Sequence, residues 1–256
     1  MKTEGSYTAR MTALLDNLAG TQNEVLDRVA QHCAETVEHR GLIHLFGSGH
    51  SVIPVLEAFP RYGSFVGLHP LTDPRLMWHN VLGPGGVREL LWLEREEGYV
   101  ENFLGHEPIN PGDVLIVYSH SGRNAAGIEA AIYCRKRDVF TVAVTSLENR
   151  GRASGHSSGN VLSDVCDEVI DTGVPVEDAV VTVAGSDRPF GGASTVVAAV
   201  VSHELITRTA ALVIGRGGTL PTFVSPTVPG ASVSSNDEVF AAHRVLLHEA
   251  EGRALD

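Results

Sequence analysis

Apolar positions along this chain follow two rhythms. From about residue 8 to 39, Leu14, Leu15, Leu18, Val25, Leu26, Val29, Cys33 and Val37 recur at helical spacing, which predicts an amphipathic helix or helix pair. Beyond residue 40, short continuous apolar runs alternate with helical stretches. "GLIHLF" (41–46) predicts a strand, and "SVIPVLEAFPRYG" (51–63) a helix that Pro60 and Gly63 bring to an end. Pro54 falls in its first turn, where a missing N–H costs little. "SFVGL" (64–68) predicts a second strand. Residues 70–86 hold Pro70, Pro74, Pro84 and three glycines and predict a loop, and residues 87–104 predict a helix.

The next segment has the clearest alternation. "PGDVLIVYS" reads as turn and strand, "HSGRN" as loop, "AAGIEAAIYCRKR" as helix and "VFTVAVTS" as strand. That is a complete βαβ unit, which requires parallel strands and a right-handed crossover. "DEVIDTG" adds a strand, residues 194–214 a long buried helix, 216–236 an irregular Gly/Pro/Ser/Thr strap, and 237–250 a terminal helix. The expected fold is α/β: a doubly wound, mostly parallel five-stranded sheet in an αβα sandwich. Residues 1–40 would form an N-terminal helical extension used in dimerisation, 41–215 the ligand-binding domain, and 216–256 a C-terminal strap and helix. Ligands of such sheets sit beyond the carboxyl ends of the strands.

Composition narrows the partners. The chain has 256 residues, ordinary apolar (43%) and charged (20%) content, and a formal net charge of −12. An acidic surface argues against nucleic acid as a partner. Cys33, Cys134 and Cys166 are odd in number and widely separated, which predicts reduced thiols in a cytoplasmic protein. The N-terminal stretch lacks the apolar core of a signal peptide. "ASTVVAAVVSHELITRTAALVIG" (193–215) is broken by His203, Glu204 and Arg208, so it reads as a buried helix, not a membrane span.

Two serine-rich turns carry the candidate chemistry. "LFGSGHS" (45–51) offers Ser48, Ser51 and glycine amides; "SHSGRN" (119–124) offers Ser119, Ser121, Asn124 and the amides around Gly122. Each follows a strand and starts a helix, so both lie at one edge of the sheet. Hydroxyls and amides at two helix N-termini make a donor-rich pocket for a phosphate dianion. Serine and asparagine are also the preferred helix caps, so one such turn alone decides nothing. Thr145 and Ser146, at a third strand end, stand where they could complete the ring.

"FGSGHS", followed about seventy residues later by "DVLIVYSHSGRNAAGIEAAIYCRKR", resembles the SIS (sugar isomerase) domain over roughly residues 40–215. "RASGHSSGNVLSDVCDEVIDTGVPVEDAVV" further resembles a stand-alone branch close to the phosphoheptose isomerases and the N-acetylmuramic acid phosphate etherases. The resemblance implies that Ser51, Ser119, Ser121 and Asn124 hold the phosphate of a sugar phosphate, with Ser48 and Gly122 beside them. Many members have threonine where Asn124 stands. Family members bind ligands between subunits, so a homodimer or dimer of dimers is expected.

Three residues are candidates for the chemistry. Catalysis in this family starts with removal of the proton beside a carbonyl, which needs a carboxylate or histidine within reach. Glu57 lies six residues after Ser51, roughly 9 Å along a helix at about 1.5 Å per residue, in surroundings apolar enough to predict burial. Its alternative is an i,i+4 pair with Arg61. Glu97 precedes Gly98 in "GPGGVRELLWLEREEGYVE", which is similar to an etherase segment whose glutamate does acid/base work; Glu94, Glu96 and Glu101 make an acidic helix face the alternative. His203 interrupts an apolar run, and the family places a late-helix histidine in its site. His50, Arg61, His156 and Ser157 are candidate sugar contacts, and His44 reads as structural. No HxxxH, HExxH or CxxC spacing is present, so no metal and no cofactor are expected. The expected reaction is elimination of water from an N-acetylamino sugar 6-phosphate, N-acetylglucosamine 6-phosphate favoured. The alternatives are aldose–ketose isomerisation and non-catalytic sensing.

Overall fold

A computed structural model describes residues 5–83 and 86–254. The predicted helix pair is α1 (Tyr7–Thr21) and α2 (Asn23–Glu38). Ser6 caps α1 by accepting from the Ala9 amide. The apolar stripe of α2 buries Val25, Leu26, Val29, Ala30, Cys33 and Ala34. There follow β1 (Ile43–Gly47), α3 (Val52–Ala58), β2 (Leu68–Leu71), α4 (Val87–Leu93), α5 (Tyr99–Leu104) and β3 (Val114–Tyr118). Next come α6 (Ala125–Arg135), β4 (Phe140–Thr145), the single turn α7 (Leu162–Val165) and β5 (Glu168–Asp171). A small hairpin, β6 (Ala179–Val181) and β7 (Phe190–Gly192), leads into α8 (Ser194–Gly215), and α9 (Asp237–Ala254) ends the described chain.

The five main strands are all parallel, in the order β2-β1-β3-β4-β5. Continuous apolar runs are what such a sheet demands, because helices cover both faces. Every residue of β1 and β3 is buried. Alternate side chains serve different cores: Ile43, Leu45, Val114, Ile116 and Tyr118 pack with α1, α2, α3, α8 and α9. Phe46, Leu115 and Val117 pack with α4 to α7. The connections place the carboxyl ends of β1 and β3, paired from Ile43↔Val114 to Gly47↔Tyr118, side by side.

Three elements depart from the sequence expectation. The second strand lies at Leu68–Leu71, not at residues 64–68. Ser64, Phe65 and Val66 instead pair with the strap at Pro221, Thr222 and Phe223. The apolar pattern was therefore genuine, but its partner comes from the far end of the chain. The helix expected over 87–104 is two helices, since Gly98 takes φ 84° and breaks the run. The β6–β7 hairpin was not expected. Its three-residue strands, one of them Phe190-Gly191-Gly192, carry no alternation to read.

α8 is long and apolar enough to cross a membrane by length and composition. Here it is a core helix against α2 and α3, burying Val197, Val201, Leu205, Ile206 and Val213. Each such side chain contributes about 1.5–3 kcal/mol.

His44 is structural, as its position in β1 suggested. Fully buried, its Nε2–H donates to Asp113 Oδ2 at 3.0 Å, and its Nδ1 lies 3.0 Å from His69 Nδ1. Asp113 also accepts from the amides of Leu42 and Asn110, both at 2.8 Å. Burial, then the neighbouring His44 and His243, push His69 down to about 3, so it carries no charge near neutral pH. This network ties β1, β2 and β3 together at the end of the sheet opposite the serine-rich turns.

Candidate functional site

The first turn is built by close backbone approach. After Gly47 the chain makes a 3₁₀ turn, Gly49–Ser51, and enters α3. A Cβ on Gly47 would lie 2.1 Å from Ser51 O and 2.5 Å from Ser51 C, and backbone atoms there have no room to yield. Gly47→Ala is therefore expected to displace Ser51 and cost about 1–3 kcal/mol, the range for overpacking. Gly20→Ala, on an open face of α1 with nothing within 4 Å of the new methyl, should be neutral or stabilising. Thermal unfolding of the two variants checks the contrast: equal midpoints would contradict it.

The second turn follows β3 and starts α6. Gly122 takes φ 62°, and a Cβ there would meet Thr145 Oγ1 at 2.9 Å. Ser119 Oγ accepts from the Gly122 amide at 3.2 Å, Ser121 Oγ from the Arg123 amide at 3.4 Å, and Asn124 stands at the N-cap of α6. Ser51 and Ser119 share a small cavity with His120, Thr172, Ser194 and Thr195. Its volume is about 10 Å³, room for one water. His120 Nδ1 and Thr172 Oγ1 are buried polar atoms without a partner. Three helices, α3, α6 and α8, thus begin around one donor-rich point at the strand ends.

Other predicted donors are already engaged. Ser48 Oγ donates to Glu94 Oε2 at 2.8 Å, and the Asn124 side chain also bonds Glu94. Burial pushes the Glu94 carboxyl above its ordinary value. Thr145 and Ser146, expected to complete the ring, instead donate to the carbonyls of His120 and Val174. His50 stacks on Trp78, with ring centroids 4.1 Å apart.

Glu57 and His203 meet. α3 and α8 run side by side from the cavity, and Glu57 Oε1 lies 3.7 Å from His203 Nε2. The pair with Arg61 forms too, with Arg61 Nη1 2.7 Å from Glu57 Oε1. The predicted burial of Glu57 does not occur: its side chain is 37% exposed and that of His203 43%. The reason is geometric, since this face of α3 and α8 points outward. Ile53, Leu56 and Val196 are exposed on the same two helices.

Glu97 belongs to a separate group. It accepts from the Ser157 amide at 2.5 Å and the Ser157 hydroxyl at 2.6 Å, and its Oε2 lies 3.8 Å from His156 Nε2. These hydrogen bonds hold its carboxyl below the ordinary range. The neighbouring α4 and α5 pack on the opposite face of the sheet from α3 and α8. The chain therefore brings Glu57, Arg61 and His203 together, and Glu97, His156 and Ser157 together, as two clusters. The paired glycine of the etherase-like segment includes Gly85, which lies outside the described residues.

Sequence reasoning passed over several residues. Glu94, one of the glutamates of the expected acidic helix face, is instead buried and accepts from Ser48. Glu129 stands alone among small and apolar residues in "AAGIEAAIYC", a signal that could have been read. Thr172, Ser194 and Thr195 reach the cavity through topology and leave no local mark.

Comparison with known proteins agrees with the fold. A sequence model of the SIS domain matches residues 6–146, more than half the chain. A UPF0309 protein of Listeria monocytogenes serotype 4b is 36% identical over 88% of this chain and 90% of its own length. A UPF0309 protein of Geobacillus kaustophilus is 33% identical over 88% of each. Among solved structures, a phosphoheptose isomerase from Neisseria gonorrhoeae matches with a TM-score of 0.55 at 16% identity, covering 80% of this chain and 95% of that one. A phosphoheptose isomerase from Francisella tularensis matches with a TM-score of 0.52 at 13% identity, covering 79% and 94%. At such identities the structural likeness establishes the fold.

Proposed function

This chain belongs to the SIS domain family, and we propose that it is an enzyme acting on a phosphorylated aldose by removing the proton beside the carbonyl. The observation that carries this reading is the meeting of Glu57 with His203 on two helices, α3 and α8, that both begin at the cavity lined by Ser51, Ser119 and Ser194. Ser51, Ser119, Ser121 and the amides around Gly122 hold the phosphate. Glu57, six residues into the helix from Ser51, then stands about 9 Å away, near the carbonyl end of a six-carbon sugar phosphate.

Glu57 takes the proton from carbon 2 of the opened sugar, and His203 supplies a proton to the carbonyl oxygen as the enediol forms. Return of the proton to carbon 1, while His203 takes the proton of the hydroxyl on carbon 2, gives the ketose. One carboxylate and one histidine suffice for that, so the geometry favours aldose–ketose isomerisation. Elimination is the second reading, and His203 supports it in place of Glu97. As an acid beside Glu57, it can protonate the hydroxyl on carbon 3, which leaves as water from N-acetylglucosamine 6-phosphate. The outward Glu57–His203 pair, rimmed by Ile53, Leu56 and Val196, suits coverage by a second copy of the chain. A homodimer would shield the reacting carbons from water.

The test is incubation in deuterium oxide with hexose, heptose and N-acetylamino sugar phosphates, followed by NMR. Deuterium at carbon 1 of a ketose product is expected for isomerisation. A new unsaturated product absorbing in the ultraviolet marks elimination. Tight binding with no exchange on any of them would leave a sugar-phosphate sensor and sink the catalytic reading.

A further inference from the structure

The ladder between β1 and β3 ends at the pair Gly47↔Tyr118, just before the two serine turns begin. Beyond that pair, Glu94 spans the gap from the carboxyl end of α4. Its Oε2 accepts from Ser48 Oγ, in the first turn, at 2.8 Å. The Asn124 side chain, at the end of the second turn, bonds the same carboxylate. The Glu94 carbonyl accepts from the Ala126 amide, at the start of α6, at 3.0 Å. Among the described residues, no other side chain bonds both turns.

Glu94 is an unusual residue to find in this place. It is 6% exposed and stands beside the buried Leu90 and Leu93. Burial pushes its carboxyl above the ordinary value, while Ser48, Arg95 and Asn124 act against that rise. A buried carboxyl is costly unless it is hydrogen-bonded, so the bonds to the two turns are what make its position tolerable.

The direction of these bonds bears on the phosphate. A serine hydroxyl has one proton to give. Ser48 gives its proton to Glu94 and has none left for a phosphate oxygen. The cavity at the strand ends is lined by Ser51 and Ser119, whereas Ser48, Glu94 and Asn124 stand outside its lining. Ser48 and Asn124, both expected to touch the phosphate, thus lie behind the residues that face the cavity.

We propose that Glu94 is a positioning residue that clamps the first serine turn to the start of α6, and that Ser48 and Asn124 serve the phosphate only through this clamp. The inference rests on the sugar-phosphate reading and refines it. Ser51, Ser119, Ser121 and the amides around Gly122 touch the ligand; Glu94 fixes the distance between the two turns that carry them. Donors held in register before the ligand arrives need no ordering when it binds, and that is the gain in affinity the clamp supplies.

Isothermal titration with glucitol 6-phosphate, an open-chain sugar phosphate with no carbonyl to react, measures affinity apart from turnover. The parent protein should bind it with a dissociation constant below about 1 mM. Glu94→Ala should weaken binding about tenfold or more. Glu94→Gln keeps the length and one acceptor oxygen, and Ser48 Oγ can accept from its amide, so it should bind no more than about threefold more weakly than the parent. The pair Ser48→Ala and Glu94→Ala should lose no more together than the worse one alone, because Ser48 acts through Glu94. Circular dichroism checks that each variant is folded, and a folded Glu94→Ala with unchanged affinity overturns the clamp while the phosphate reading stands. Losses that add in the double variant also overturn it, since Ser48 would then touch the phosphate itself. A crystal structure of the parent with the probe bound decides the matter even where Glu94→Ala does not fold. Ser48 Oγ is expected on Glu94, and a position within about 3.2 Å of a phosphate oxygen overturns the proposal. A parent protein that binds neither glucitol 6-phosphate nor inorganic phosphate overturns the phosphate reading and the clamp together.

Discussion

Glu57→Gln is expected to lower turnover of the sugar phosphate by about 10²–10⁴-fold, the usual contribution of a positioned general base. The amide keeps the length and shape of the side chain, and its oxygen can still accept from Arg61, which lies 2.7 Å from the carboxylate. Phosphate capture at Ser51 and Ser119 should survive, so KM should move far less than kcat. His203→Asn should also lower kcat, because its ring stands 3.7 Å from Glu57. Groups that act as a unit are not additive, so the double variant should lose little more than the worse single one. Steady-state kinetics and deuterium exchange at carbon 2 measure both effects. A kcat within about threefold of the parent for Glu57→Gln would remove Glu57 as the base.

Asp113→Ala is expected to cost about 3–5 kcal/mol of stability, because a buried donor left without its acceptor costs about 1–3 kcal/mol and this change strands several. Three buried donors lose their acceptor: the amides of Leu42 and Asn110, and Nε2 of His44. Asp113 and His44 are 1% and 0% exposed, so water cannot replace what is lost. At about 2–4 °C per kcal/mol for a chain of this size, the midpoint of thermal unfolding should fall by roughly 6–20 °C. Asp113→Asn keeps one acceptor oxygen and should fall between parent and alanine variant. A loss under about 1 kcal/mol in urea unfolding would show that the network contributes little.

These two effects come from parts of the chain that differ in legibility. The strands around Asp113 could be read directly. "GLIHLF" and "DVLIVY" are continuous apolar runs, and only a sheet covered on both faces buries every residue of such runs. The two serine turns were legible for the same reason, since each lies between a recognisable strand and helix. Glu57 and His203 could be named but not joined. They are 146 residues apart in sequence, and only the packing of α3 on α8 brings them together. Burial was misjudged at both glutamates that mattered. Glu57 sits among apolar residues, yet on an outward helix face; Glu94 sits among charges, yet beneath Ser48.

By itself, then, the amino-acid sequence determined what local periodicity and backbone chemistry can specify: the order of strands and helices, the parallel βαβ core, and glycine-serine turns at the carboxyl ends of two of its strands. Only the tertiary structure decided which side chains share a site. It set Glu57 with His203 on one face of the sheet, and Glu97 with Glu129 and His156 near the other. The physical reason is that hydrogen-bonded strands and helices are specified by neighbours a few residues away. A cluster of charged groups is instead fixed by the face each element buries, and that is settled only when the whole core packs.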